Sequence, residues 1–202
     1  QHVLSGPERK SWPDRLTACG TLCAVGDLGQ DTAVTQVDEG RFAATLSQEW
    51  EIWGPMGGYV AAVALRAVGA TVPQLRPATF SCHYLGVARF EPVDIRVEVR
   101  KPGRTATSLR VEISQQGRPI LDGSVWAVGP NEGLEHDEAV MPDVPRPGDL
   151  ADIRDLVPDD EGPPFPFWLN LDARPIHFET PWPPEGPRPA EWREWLRFTP
   201  TA

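Results

Sequence analysis

Cysteine is scarce in this chain. Cys19, Cys23 and Cys82 are the only three in 202 residues, an odd and small number that excludes the disulfide framework of a small secreted domain. A reducing compartment is expected, and with it a cytoplasmic protein. Lysine is scarcer still, with Lys10 and Lys101 alone. Neither follows the glycines at 54–58, so a phosphate loop for nucleotide hydrolysis is not indicated. Residues 1–130 carry 13 Lys/Arg against 13 Asp/Glu, which leaves no cationic face to neutralise nucleic acid. No apolar run reaches the length of a membrane span, and Gln1–Asp14 holds none of signal-peptide type. Cys19 and Cys23 are spaced like half a zinc site, but His2 and His136 lie in irregular segments and no second pair completes it. No metal or other cofactor is expected.

The net charge of −10 is concentrated in one stretch, because residues 131–162 hold 11 Asp/Glu against 2 Lys/Arg. That stretch is also Pro-rich, as a surface linker would be. Four parts are therefore expected: an irregular lead-in over 1–30, a folded unit over 31–130, the acidic linker over 131–166, and a further incomplete unit over 167–202. Helical turns are compatible with Leu150–Leu156. Strands are expected at Ile176–Thr180 and Trp192–Phe198, with Trp168, Trp182, Trp192 and Trp195 available to cover an outer face.

Within the folded unit the pattern is α+β. Gly54-Pro55-Met56-Gly57-Gly58-Tyr59 opens a helix, Val60–Ala70, that is apolar on nearly every face. It is too short to cross a bilayer, so protein must bury it all round, most economically a sheet wrapped around it. Before it, Thr32–Asp38 and Arg41–Ser47 flank the two-residue turn Glu39-Gly40. After it, Thr79–Val87 alternates as a strand. Val93, Ile95, Val97 and Val99 alternate with charged residues, the turn Lys101-Pro102-Gly103-Arg104 follows, and strands through Leu109–Ile113 and Ile120–Val128 complete an antiparallel meander with one polar face.

Asp31-Thr32-Ala33-Val34, Gly40-Arg41-Phe42, Gly54–Tyr59, Lys101–Arg104 and Gln115-Gln116-Gly117-Arg118, in this order and spacing, resemble the first repeat of the TesB-type acyl-CoA thioesterases, whose chains hold two hotdog units. The resemblance covers residues 31–130 well and 176–198 weakly. It implies a hotdog fold, an antiparallel sheet wrapped around one central helix, with the residues from 167 onward as the start of a second hotdog. It also implies thioester hydrolysis by an activated water, without metal or covalent intermediate, in fatty acid metabolism. The family's base is an Asp on the helix of the second hotdog, helped by Gln and Ser/Thr side chains. That Asp has no counterpart here, the helix from Gly57 to Ala70 carries no carboxylate, and Trp126 falls at the position of the Gln. No catalytic residue is therefore assigned.

What carries over is the start of the helix, where N–H groups of Gly57, Gly58 and Tyr59 could polarise a thioester carbonyl. The plain alternative is that these glycines only permit tight packing. His83 is a candidate in a binding cleft, the plainer reading being a solvated strand histidine. Gln115 and Gln116 could position a water, yet a turn usually exposes them. Asp122-Gly123-Ser124 continues as strand and so is no nucleophile elbow. Hotdog dehydratase chemistry would need His and Asp or Glu near the helix. The expectation is an acyl-CoA thioesterase-like protein, the alternative a silent acyl-CoA-binding or assembly module, and either way a homodimer or edge-to-edge pairing through an open strand.

Overall fold

A computed structural model describes residues 25–130, 132–133, 136–157, 165–179, 186–187 and 189–199. The expectations about His2, Cys19, Cys23 and Trp182 fall outside these residues.

Six strands form one antiparallel sheet: β1 (Thr35–Asp38), β2 (Arg41–Thr45), β3 (Arg76–Tyr84), β4 (Pro92–Lys101), β5 (Ala106–Gln115) and β6 (Arg118–Val128), in the order β1-β2-β4-β5-β6-β3. The alternation read from β4 decides its faces. Val93, Ile95 and Val97 are buried while Asp94 and Arg96 are exposed, and Leu109, Val111 and Ile113 of β5 join the buried side. A short helix α1 (Leu28–Asp31) precedes the sheet, and the long helix α2 (Gly57–Thr71) lies on its apolar face. Tyr59, Val60, Val63, Ala64, Ala67 and Val68 of α2 are buried against it. Full burial of each of the three valines contributes about 1.5–3 kcal/mol.

The expectation of a helix buried all round is corrected. Gly58, Arg66 and Ala70 are exposed, because an open single sheet covers only one side of a cylinder. The strand expected at Thr79–Val87 is also displaced, to Arg76–Tyr84. Pro77 is tolerated because β3 is an edge strand, and the register shifts there between Pro77 and Thr79.

The acidic stretch is tied down where it is described. A 3-10 turn, Pro147–Asp149, leads to a short helix α3 (Ile153–Leu156), in the region where helical turns are expected. It packs on a two-stranded antiparallel sheet of β7 (Leu171–Pro175) and β8 (Glu194–Phe198). Arg174 Nη1 donates to Leu150 O at 2.7 Å, and Trp195 Nε1 donates to Pro145 O at 3.0 Å. β7 lies ahead of the expected Ile176–Thr180, because its inner residues are Leu171, Asp172 and Ala173. The Asp172 carboxylate is carried inward by Arg174 at 2.8 Å and Arg197 at 2.7 Å.

The C-terminal part docks on the sheet-and-helix unit. Asn170 is 1% exposed. Its Oδ1 accepts from Gly26 N–H at 2.8 Å and its Nδ2 donates to Glu49 O at 2.7 Å. Trp50 receives the rings of Phe167 and Phe198 at centroid distances of 6.3 and 5.9 Å.

Acid should loosen the strap over β7. The hydrogen-bonded Arg154 guanidinium holds the Asp152 carboxyl below its ordinary pKa, against the opposing effect of burial. A carboxyl depressed in the folded state contributes stability that is present above the ordinary carboxylate range and lost as pH falls through the folded value. Asp152→Asn is expected to lower Tm at pH 7 by about 1–3 °C. It should also show a weaker fall in Tm than the parent chain below about pH 4. Parallel Tm–pH curves for the two proteins would contradict this.

Candidate functional site at the start of the central helix

The chain reaches α2 through a tight turn. Ile52 N–H donates to Gly54 O at 3.0 Å, Met56 N–H donates to Trp50 O at 2.9 Å, and Glu51 bridges Pro55. Helix N-caps are usually Ser, Thr, Asp or Asn, whose oxygens satisfy the first-turn N–H groups. Here the cap is Met56 and the first turn holds no acidic residue. The Met56 thioether sulfur takes Gly58 N–H at 2.8 Å and Tyr59 N–H at 3.4 Å, while Gly57 N–H has no partner among the described residues. A thioether is a weak acceptor on a flexible stem. A carbonyl oxygen displacing it would gain stronger bonds at the positive end of the helix dipole.

The two glycines differ in what a side chain would meet, a held ring at Gly57 and the end of a flexible thioether at Gly58. A Cβ on Gly57 would lie 3.2 Å from Tyr84 Cζ, and one on Gly58 would lie 3.0 Å from Met56 Sδ. Tyr84 donates its hydroxyl to Gly57 O at 2.7 Å. Burial, with Cys82 beside it, pushes the pKa of that hydroxyl up. Apolar surface rims the helix start. Trp53 is 86% exposed and meets Phe165 edge-on at 5.6 Å, and exposed Val87 packs where a Gly54 side chain would stand.

The expected site residues separate. Gly57, Gly58 and the N–H of Tyr59 converge, but the Tyr59 side chain is 2% exposed and faces inward. Its hydroxyl donates to Asp31 O at 2.7 Å and accepts from Ser47 N–H at 3.0 Å, and its ring stacks on Trp50 at 5.4 Å. Burial pushes its pKa up. His83 is not brought to the helix. Its neighbours Cys82 and Tyr84 point to the helix side of β3, so His83 lies on the other face. There it sits opposite Asp122 and shares a groove of about 340 Å³ with Ser81, Arg100 and Ser124.

Gln115 is buried rather than exposed at its turn. Its Oε1 accepts from Arg89 N–H at 2.8 Å and its Nε2 donates to Arg89 O at 3.0 Å, so it clamps the loop before β4. Gln116 donates to Glu91 at 3.0 Å. Trp126 is half-exposed on the outer face, opposite Thr79 and Ser108. Sequence reasoning missed the Asp31–Trp50–Tyr59 network, in which Trp50 Nε1 donates to Asp31 Oδ2 at 2.9 Å. Among the described residues, no three His, Cys, Asp or Glu side chains converge as a metal set, and no helix is long and apolar enough to cross a membrane.

Residues 46–128 match the family model of the acyl-CoA thioesterase N-terminal domain. Among solved structures, a protein of Thermobifida fusca YX assigned as a thioesterase II is 27% identical with a TM-score of 0.62, over 73% of this chain and 53% of that one. A conserved hotdog protein of unknown function from Alicyclobacillus acidocaldarius is 24% identical with a TM-score of 0.72, over 86% and 62%. The acyl-CoA thioesterase II TesB2 of Mycobacterium marinum is 21% identical with a TM-score of 0.62, over 85% and 60%. This chain thus spans 53–62% of the length of these three proteins. No curated protein matches significantly. Residues 46–128 are thus similar to the acyl-CoA thioesterase N-terminal domain, and the sheet-and-helix unit has the hotdog fold.

Proposed function

We propose that this hotdog unit binds acyl-CoA thioesters with the reacting carbonyl at the start of α2, and that the bound thioester is hydrolysed by water. The observation that carries the reading is the set of first-turn N–H groups that, among the described residues, have the Met56 sulfur as their acceptor. The thioester oxygen replaces that sulfur on Gly58 and Tyr59, with Gly57 N–H also free to donate. Negative charge then develops on this oxygen as water attacks the carbonyl carbon. The C–S bond breaks and the thiolate leaves, receiving by way of a base the proton that the attacking water gives up. Electrostatic help of this kind is strongest where donors are already in place and water is excluded.

The base that takes the water's proton comes from outside this unit, since α2 holds no carboxylate or imidazole and His83 lies across the sheet. Edge-to-edge pairing with a second copy is a route to it. β3 is an open edge, and its last residue, Tyr84, touches Gly57. The same lack of a base favours the second reading, an acyl-CoA-binding module without turnover.

Release of free thiol from short, medium and long acyl-CoAs, with binding of a non-hydrolysable analogue followed in parallel, separates the two. Turnover supports the hydrolase, and saturable binding without turnover supports the module. Neither binding nor turnover would overturn both.

A further inference from the structure

The outer face of the sheet carries a second feature, independent of the thioester reading. One row of residues runs across five strands: Arg41 of β2 opposite Arg96 of β4, Arg96 opposite Glu112 of β5, Glu112 opposite Asp122 of β6, and Asp122 opposite His83 of β3. Like charges directly opposite one another destabilise a sheet. The acidic pair in this row is resolved internally. Arg110 grips Asp122 with two hydrogen bonds of 2.9 Å and reaches Glu112 at 3.0 Å. That bonding holds the Asp122 carboxyl below its usual range.

The basic pair has no such resolution. Neither Arg41 nor Arg96 makes a side-chain hydrogen bond or ion pair with another described residue. The carboxylate opposite Arg96 is already taken by Arg110. Asp94, two residues away on the same face, pairs with neither. Nearby Glu98 is occupied by Arg100 at 2.9 Å. Both arginines line a groove of about 600 Å³ that Asp94, Arg110, Glu112 and Asp122 also line. Exposed Val37 and Leu85, 63% and 55% exposed, form its apolar ledges.

We infer that Arg41 and Arg96 form a binding site for a phosphate group on the outer face of the sheet, with the apolar ledges available to the body of a phosphate ester. Guanidinium forks carried on two directly opposite residues suit bidentate binding of a phosphate dianion, whose charge relieves their mutual repulsion. The phosphate could be free or esterified, and the groove itself does not distinguish the two.

The test is a ¹⁵N NMR titration of the whole chain with inorganic phosphate and, separately, with adenosine 3′,5′-bisphosphate. Tm is followed in phosphate and in chloride at matched ionic strength. Saturable shifts confined to Arg41, Arg96 and their strand neighbours are expected. Affinity should be weaker by about tenfold or more in Arg41→Gln/Arg96→Gln and unchanged in Arg100→Gln. Phosphate should raise the Tm of the parent chain and of Arg100→Gln but not that of the double variant. Tighter binding of the bisphosphate assigns the site to an ester, and equal binding assigns it to the free anion. Shifts that do not saturate, or a Tm gain shared by the double variant, would overturn the proposal.

Discussion

Gly58→Trp is expected to lower thioester turnover by about 100-fold or more while leaving the protein at least as stable as before. The two halves of this result have different causes. A side chain at 58 must first push aside the Met56 thioether, which a Cβ would already approach at 3.0 Å. An indole then covers the fan of N–H groups that a substrate oxygen needs. Stability moves the other way, because a glycine inside a helix costs roughly 0.5–1 kcal/mol relative to alanine, and Met56 can swing out to solvent. A protein that unfolds less readily yet no longer binds or turns over acyl-CoA would separate recognition from packing. If the glycines only permit helix-to-sheet packing, Gly58→Trp would instead lower Tm and leave residual activity per folded molecule unchanged. Met56→Leu is the companion variant. It keeps the apolar volume at small cost and removes the sulfur acceptor, so binding should be retained or improved.

Trp50→Ala should have the largest effect on stability, about 3–5 kcal/mol, which lowers Tm by roughly 6–20 °C for a chain of this size. Trp50 is 2% exposed and joins three parts of the molecule. Its ring stacks on Tyr59 of the central helix and meets Phe167 and Phe198 from the C-terminal segment. Its N–H is satisfied by Asp31, beside the backbone carbonyl that takes the Tyr59 hydroxyl. Truncation leaves a cavity the size of an indole and strands the Asp31 carboxylate. The C-terminal segment loses two of its aromatic contacts at once, so it should become protease-sensitive before the sheet unfolds. Trp50→Phe, which keeps a stacking ring but not the N–H, should lose only about 1 kcal/mol. Thermal melts of the two variants check this, and a Trp50→Ala melt within a degree of the parent would contradict it.

The parts of the fold that were legible in the sequence are those held by local pattern. The alternation of Val93, Ile95 and Val97 with Asp94 and Arg96 gave the meander and its polar face, and the apolar run after Gly57 gave the helix. Where tertiary pairing decides, the sequence was silent or misleading. β7 holds Asp172, Arg174 and Pro175, an unpromising strand whose buried carboxylate is matched by two arginines, one of them 25 residues away. The covered side of α2 was overestimated because apolar composition does not say how many layers surround a helix.

At the candidate site, the glycine pair was legible and its cap was not. Methionine is no standard N-cap, and its sulfur meets the first-turn N–H groups only through the folded turn at 52–56. The placement of His83 was in principle readable, since Phe80, Cys82 and Tyr84 already formed the apolar phase of that strand and left 81 and 83 to the other face. The tie from Tyr59 to Asp31 spans 28 residues, beyond what a periodicity can report. Arg41 and Arg96, without an ion pair among the described residues, likewise become neighbours only once the register of β2 and β4 is known.

The most direct test follows the backbone amides of Gly57, Gly58 and Tyr59 by ¹⁵N NMR during titration with a non-hydrolysable acyl-CoA analogue in which a methylene replaces the thioester sulfur. The predicted result is saturable downfield movement of these amides, together with displacement of the Met56 methyl signal as its sulfur leaves them. Saturable binding with those four signals unmoved, and shifts confined to other surfaces, would contradict the assignment of the helix start as the thioester site.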